Sequence, residues 1–141
     1  MATDFQVTID CGSPHELADW WAEALGWTVE PSDEAFIRTM VEQGYAREED
    51  TATHRGTLVW REGAAIRSPE PGRPRVLFQL VPEGKTVKNR LHLDLRVGDE
   101  RREAEVARLV AAGATELHRG RQGPHTWVTM SDPEGNEFCV A

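Results

Sequence analysis

The chain has 141 residues, with 24 acidic against 16 basic side chains and a net charge of −8, which argues against binding a polyanion through its phosphates. That length suits one ordinary domain, and no apolar run approaches the roughly 20 residues of a membrane span. The start, Met1-Ala2-Thr3-Asp4, lacks the charged and apolar regions of a secretory signal, so the expected location is the cytoplasm, with Cys11 and Cys139 as reduced thiols.

In chain order, Gln6 to Cys11 alternates like a strand. Ser13-Pro14-His15-Glu16 then opens a helix, with Ser13 placed to cap, Pro14 at the first helical position and Glu16 to complete a capping box. Its apolar stripe is Leu17, Trp21 and Leu25, with Trp20 and Ala24 beside it, and Gly26 closes it. An inserted segment follows, Asp33 to Gly44, where Phe36, Ile37, Met40 and Val41 fall at helical spacing. After it come the acidic loop Glu48-Glu49-Asp50, a strand near Thr57 to Trp60, a proline- and glycine-rich link from Pro69 to Pro74, and a strand from Val76 to Val81. The basic run Lys85 to Arg90 reads as a solvated loop. His92 to Val97 then repeats the opening alternation, and a helix from near Asp99 carries Val106, Leu109 and Val110 to Gly113, before Ala114 to Leu117. The chain ends in a hairpin, Thr126 to Met130 and Glu137 to Val140, around Asp132-Pro133-Glu134-Gly135-Asn136. One strand-helix-strand phrase is thus stated twice. Duplicated units of this kind pack as a pair, and the cavity between them is a natural place for a ligand.

Successive side chains of a strand point to opposite faces, so parity sorts the candidates. Val7, Ile9 and Cys11 oppose Gln6, Thr8 and Asp10; Val76, Phe78 and Leu80 oppose Leu77, Gln79 and Val81; Leu93, Leu95 and Val97 oppose His92, Asp94 and Arg96; Phe138 and Val140 oppose Glu137 and Cys139. One face of each strand can pack under a helix. The other either meets water or lines a pocket, and its histidine, amides, short carboxylates and thiol, with few lysines, favour the pocket.

Four segments resemble the vicinal oxygen chelate superfamily, which includes glyoxalase I, bleomycin-resistance proteins and extradiol dioxygenases, and in particular its bacterial glyoxalase-like branch. They are Ala18 to Trp27, Phe78 to Glu83, Lys85 to Leu95, and Asp132 to Phe138. The resemblance implies a mixed α/β (α+β) fold in one domain over 1–141: two βαβββ modules, about 1–83 with a helical insertion at 33–44, and about 84–141, whose curled sheets form a cup. Metal-dependent members hold their ion with one residue from each of four strands, and those positions fall here on Gln6, Gln79, His92 and Cys139. Two neutral amides offer no charge to offset the dehydration of a divalent ion, so no tightly bound catalytic metal or other cofactor is expected. Any divalent metal would be weakly held, by His92, Cys139, Gln6 and Gln79.

On the same face His92 and Asp94 are the candidate catalytic pair, a general base and its electrostatic partner; the competing reading makes His92 a buried polar group satisfied by a neighbour such as Gln6. Gln6, Gln79, Cys139, Glu137 and Asp10 are candidate ligand contacts, with Glu137 and Asp10 equally readable as solvated strand residues. Trp60 and Trp127 lie on strands, where an indole can stack on a flat ligand or pack in the core. His15, His54, His118 and His125 have no partners by spacing and are expected on the surface. Two functions of different class remain open. One is a lyase, isomerase or oxygenase acting on a small organic molecule; the other is a noncatalytic protein that sequesters an aromatic or glycopeptide drug. Neither reading involves nucleic acid or membrane, and a homodimer is compatible with both.

Overall fold

The computed structural model describes residues 1–141. The chain divides into two compact units, Met1–Gly84 and Lys85–Ala141. In the first, β1 (Val7–Cys11), α1 (Pro14–Leu25), β2 (Thr28–Val29), β5 (Gly63–Arg67) and β6 (Val76–Leu80) make a βαβββ module, into which α2 (Glu34–Glu42) and a hairpin of β3 (Thr51–His54) and β4 (Thr57–Trp60) are inserted. In the second, β7 (Asp94–Leu95), α3 (Asp99–Ala111), β8 (Thr115–Gln122), β9 (His125–Ser131) and β10 (Glu137–Val140) repeat the plan. Strand order is β1-β6-β5-β2 in one sheet and β7-β10-β9-β8 in the other, so each module sets its first strand parallel to its last. This is the mixed α and β architecture that the resemblance implied.

Local chemistry explains where the elements begin and end. Pro14 occupies the first turn of α1, where its missing N–H costs nothing, and Gly26 takes the left-handed conformation at φ 68° that ends the helix. Ser13 precedes the helix without a side-chain cap hydrogen bond, so the expected capping box is not formed. Asp33 does cap α2, its carboxylate accepting from the Phe36 amide at 3.0 Å. Only part of the expected helical stripes is covered: Ile37 and Leu109 are buried, while Phe36 and Val110 are exposed. The strand expected from His92 is also shorter. Its regular part is Asp94–Leu95, with Leu93 still accepting from the Cys139 amide, and His92 lies exposed ahead of it.

Parity decides which sheet face is hidden. In the first unit Val76, Phe78 and Ile66 are buried beneath α1, which packs on β5 and β6 with Leu17, Ala18 and Trp21 turned inward. In the second unit Val128, Met130, Phe138 and Val140 are buried on one face, and α3, which packs on β8 and β10, buries Val106 and Leu109. Each fully buried Phe or Leu of this kind contributes about 2 kcal/mol relative to an exposed one. Outermost in the second sheet is the eight-residue β8, whose Arg119 pairs with Glu116 on its own strand and Glu103 on α3, both at 2.6 Å.

The turn before β10 carries its own network. Asp132 is 3% exposed, and its Oδ1 accepts from the amides of Glu134 and Asn136, each at 2.9 Å, while the Asn136 side-chain amide donates to both carboxylate oxygens. Asn136 in turn accepts from the Asn89 side chain at 2.9 Å. Asp132→Ala should destabilise the protein by about 2–3 kcal/mol, because two turn amides and a side-chain amide lose a charged acceptor at once. Urea unfolding checks it; a loss below about 0.5 kcal/mol would show that water replaces the carboxylate at no cost.

On the opposite sheet face, the Trp127 indole lies so close over Gly120, its cross-strand partner, that an added Cβ would collide with the ring. Gly120→Ala is therefore expected to displace the indole, visible as a shift in tryptophan emission together with a lower melting temperature.

Candidate functional site

The polar face of the first sheet carries Thr8, Asp10 and Gln79, paired across β1 and β6 as parity requires, with Asp10 opposite Gln79. Gly63 of β5 is the other cross-strand neighbour of Gln79 and leaves it uncovered. Gln6 sits just before β1 and is not directed at a neighbouring histidine. Its side-chain oxygen accepts from Arg75 Nη1 at 3.1 Å and its amide lies 3.5 Å from Thr8 Oγ1. Arg75 also grips Glu30 with Nε at 2.7 Å and Nη2 at 2.9 Å, and Arg67 joins the same carboxylate. The two guanidiniums hold the Glu30 carboxyl below its usual range, Arg75 most strongly, against burial acting the other way.

Within this unit a cavity of about 670 Å³ opens. Gln79 and Leu77 of β6 line it, together with Glu30, Arg75 and Trp60, and His15 and His54 stand at its wall. The two histidines correct the sequence reading, which left them on the surface without partners. Both are half-buried, with ring centroids 5.3 Å apart. His15 Nε2 donates to the Trp60 carbonyl at 2.7 Å, and His54 Nε2 lies 2.7 Å from Asp19 Oδ2, which Arg55 Nε also approaches at 3.3 Å. His15 and Asp19 are four residues apart on one helix face, a spacing legible in the sequence. His54 was not legible, because it reaches them only through the hairpin. That hairpin is fixed by Ser32 Oγ donating to the Leu58 carbonyl at 2.7 Å and the Leu58 amide donating to Glu34 at 2.9 Å.

The second unit gathers a different set. Asp94 and Cys139 are cross-strand partners, and His92 Nδ1 lies 2.9 Å from Asp94 Oδ1. His92, Asp94 and Cys139 offer ligand atoms that all lie within 4.8 Å of one another. The Cys139 thiol is 3.6 Å from the Thr129 hydroxyl, a residue the sequence reading did not single out although parity with Cys139 points to it. Glu137 is not an open cup carboxylate. Lys85 bonds it at 2.8 Å and the Asn89 amide donates to it at 3.0 Å. The basic loop is therefore tied down at Lys85. Trp127 is half-buried, with its indole against Gly120.

As a donor set, an imidazole, a carboxylate and a thiol suit a borderline ion such as zinc. The amides of the other two expected positions fit less well. Gln6 already faces a guanidinium, an unfavourable neighbour for a dication, and Gln79 is neutral.

The glyoxalase-like domain profile matches residues 6–141. The chain belongs to the glyoxalase-like domain family. Solved structures of the same fold accompany that match. A glyoxalase/bleomycin resistance protein/dioxygenase family enzyme from Burkholderia phytofirmans PsJN is 15% identical, covering 96% of this chain and 94% of that one with a TM-score of 0.63. The fosfomycin resistance protein FosX of Listeria monocytogenes, in a mutant form with Mn(II) and 1S,2S-dihydroxypropylphosphonic acid, is 8% identical over 99% and 90% with a TM-score of 0.65. A hypothetical protein from S. aureus is 13% identical over 99% and 93% with a TM-score of 0.64. No curated protein sequence matches the chain. This glyoxalase-like protein is thus a vicinal oxygen chelate superfamily member.

Burial pushes the Glu137 carboxyl up, but Lys85 and the Asn89 amide outweigh it and hold it down at about 2, from an ordinary 4.5. A folded value below the unfolded one means that the contact stabilises fully above the unfolded value and is lost as pH falls toward the folded value. Glu137→Gln should accordingly flatten the acid limb of the stability profile between about pH 4.5 and pH 2, measured by urea unfolding across that window; an unchanged slope would assign it to other carboxylates.

Proposed function

We propose that this protein binds a small, partly apolar organic molecule in the cavity of its first unit. The observation that carries this reading is the composition of the cavity wall. It combines Val59 and Leu77 with Gln79, the Arg75–Glu30 pair and two imidazoles, in about 670 Å³. Organic ligands of drug size occupy clefts of roughly 300–1,000 Å³ lined by apolar surface with a few orienting polar groups. The FosX of the same fold was solved with a small phosphonic acid, which supports a small-molecule role for the fold without naming a ligand here.

The experiment is a fragment screen by ligand-observed NMR on untagged protein, with hits titrated into the wild type, Gln79→Ala and Trp60→Ala. Loss of apolar contact at Trp60 or of a hydrogen bond to Gln79 should weaken a hit by about 1 kcal/mol or more, several-fold in affinity. Hits that bind all three proteins equally would remove the cavity as the site and leave a structural or partner-binding role as the better account.

A second reading, catalysis, is favoured by the His92–Asp94 pair. When Nδ1–H of His92 donates to the Asp94 carboxylate, Nε2 is left as a proton acceptor, the arrangement of a general base. A weakly held divalent metal would find its donors in His92, Asp94 and Cys139. In this reading the protein is a lyase, isomerase or oxygenase; in the first it sequesters its ligand, as a drug-binding protein does. Following the NMR signals of each hit over time separates them. Conversion that is lost in His92→Ala supports catalysis, and hits that persist unchanged support sequestration.

A further inference from the structure

We infer that His15 and His54, with their outer N–H groups fixed by Trp60 and Asp19, form a binding site for a divalent cation of the zinc type at the wall of the first unit's cavity. This site shares no residue with the four positions to which the family resemblance assigns a metal.

The argument starts from tautomers. A carbonyl oxygen can only accept, so the 2.7 Å contact between His15 Nε2 and the Trp60 carbonyl places the proton of the neutral ring on Nε2. The 2.7 Å contact between His54 Nε2 and Asp19 Oδ2 does the same for the second ring, because an ionised carboxylate likewise only accepts. Both rings then carry their lone pair on Nδ1. Metal-ligating histidines characteristically donate the other ring N–H to a carboxylate or a backbone carbonyl, which fixes ring orientation and raises basicity. Here one ring has each kind of partner. The ring separation leaves room for one ion between them: with Zn–N near 2.0–2.1 Å and tetrahedral angles, two imidazoles on one ion have centroids about 5 Å apart, and these stand at 5.3 Å, tilted by 32°.

Location adds to the case. Both rings line the cavity, so the remaining coordination positions face a space that holds water or a bound molecule. The two histidines come from different elements, the first turn of α1 and the end of β3, which the Asp19–His54 contact joins. A cation there would bind the inserted hairpin to the module that carries it. The inference deepens the cavity reading and uses it only for those open positions; the test uses metal alone, so it succeeds or fails apart from any organic ligand.

The test is calorimetric titration of Zn²⁺ into untagged protein carrying His92→Ala and Cys139→Ala, which removes the donor set of the second unit. That background should bind one equivalent of zinc. Adding His15→Ala or His54→Ala should raise Kd at least tenfold, and Asp19→Asn, which keeps both rings but weakens the outer hydrogen bond, should raise it by about tenfold. His118→Ala, exposed on β8, should change nothing. Circular dichroism confirms that each variant is folded. In parallel, the imidazole C–H resonances of His15 and His54 should shift on zinc addition to the wild-type fold, which keeps the test decisive should His54→Ala unfold. A background that binds no zinc, binding unaffected by His15→Ala and His54→Ala, or binding reduced equally by His118→Ala would each overturn the inference.

Discussion

A β-strand shows a side chain to each face of its sheet in turn, and one helix can cover only one of those faces. Much of this molecule follows from that limit. Each module has four strands and a single long helix, so Phe78, Ile66, Phe138 and Met130 are buried on one face, while Gln79, Asp94 and Cys139 are left on the other. Residues that cannot be hidden by the fold are the ones free to meet a ligand. The polar groups of both sheets are therefore a direct result of topology.

That same limit explains what the sequence revealed. Period-two alternation located β1, β6, β10 and the strand beginning near His92, and the 3.6-residue stripe located α1 and α3. Asp33 to Gly44 was legible as a helix because Ile37 keeps the period, although Phe36 turned out exposed. Two strands escaped notice for opposite reasons. Thr51–His54 has threonine and alanine but no strong apolar alternation, and Gly63–Arg67 begins Gly-Ala-Ala, too small a set of side chains to display a face. Parity put Asp94 and Cys139 each on the polar face of its strand, and the register of β7 with β10 sets them side by side. The site was not legible where a side chain arrives from an inserted hairpin, as His54 does, since no periodicity encodes a meeting 35 residues away in the chain.

Asp132 to Phe138, one of the segments that carry the family resemblance, does structural work. Asp132 organises the turn, Asn136 relays it to Asn89, and Glu137 anchors Lys85, so the loop before β7 is held to the start of β10. A motif of this kind reports the fold and is silent about function. The clustered donor side chains sit elsewhere: His92, Asp94 and Cys139 in one unit, and His15 and His54 at the cavity in the other. Only the first module carries the insertion, so two units with one strand order offer different surfaces.

The outer strand β8 has a further consequence. Eight residues of unpaired ladder at the end of a sheet invite another chain to add to it, and a long edge with an open backbone is where aggregation commonly begins. Here the strand is interrupted by a register shift between Glu116 and His118, and it presents His118, Arg119 and Arg121, with Arg119 held between Glu116 and Glu103. A second strand would have to match the irregular spacing and set its own side chains against fixed charges. The edge is long enough to pair with a neighbour, and its register shift and fixed charges oppose that pairing.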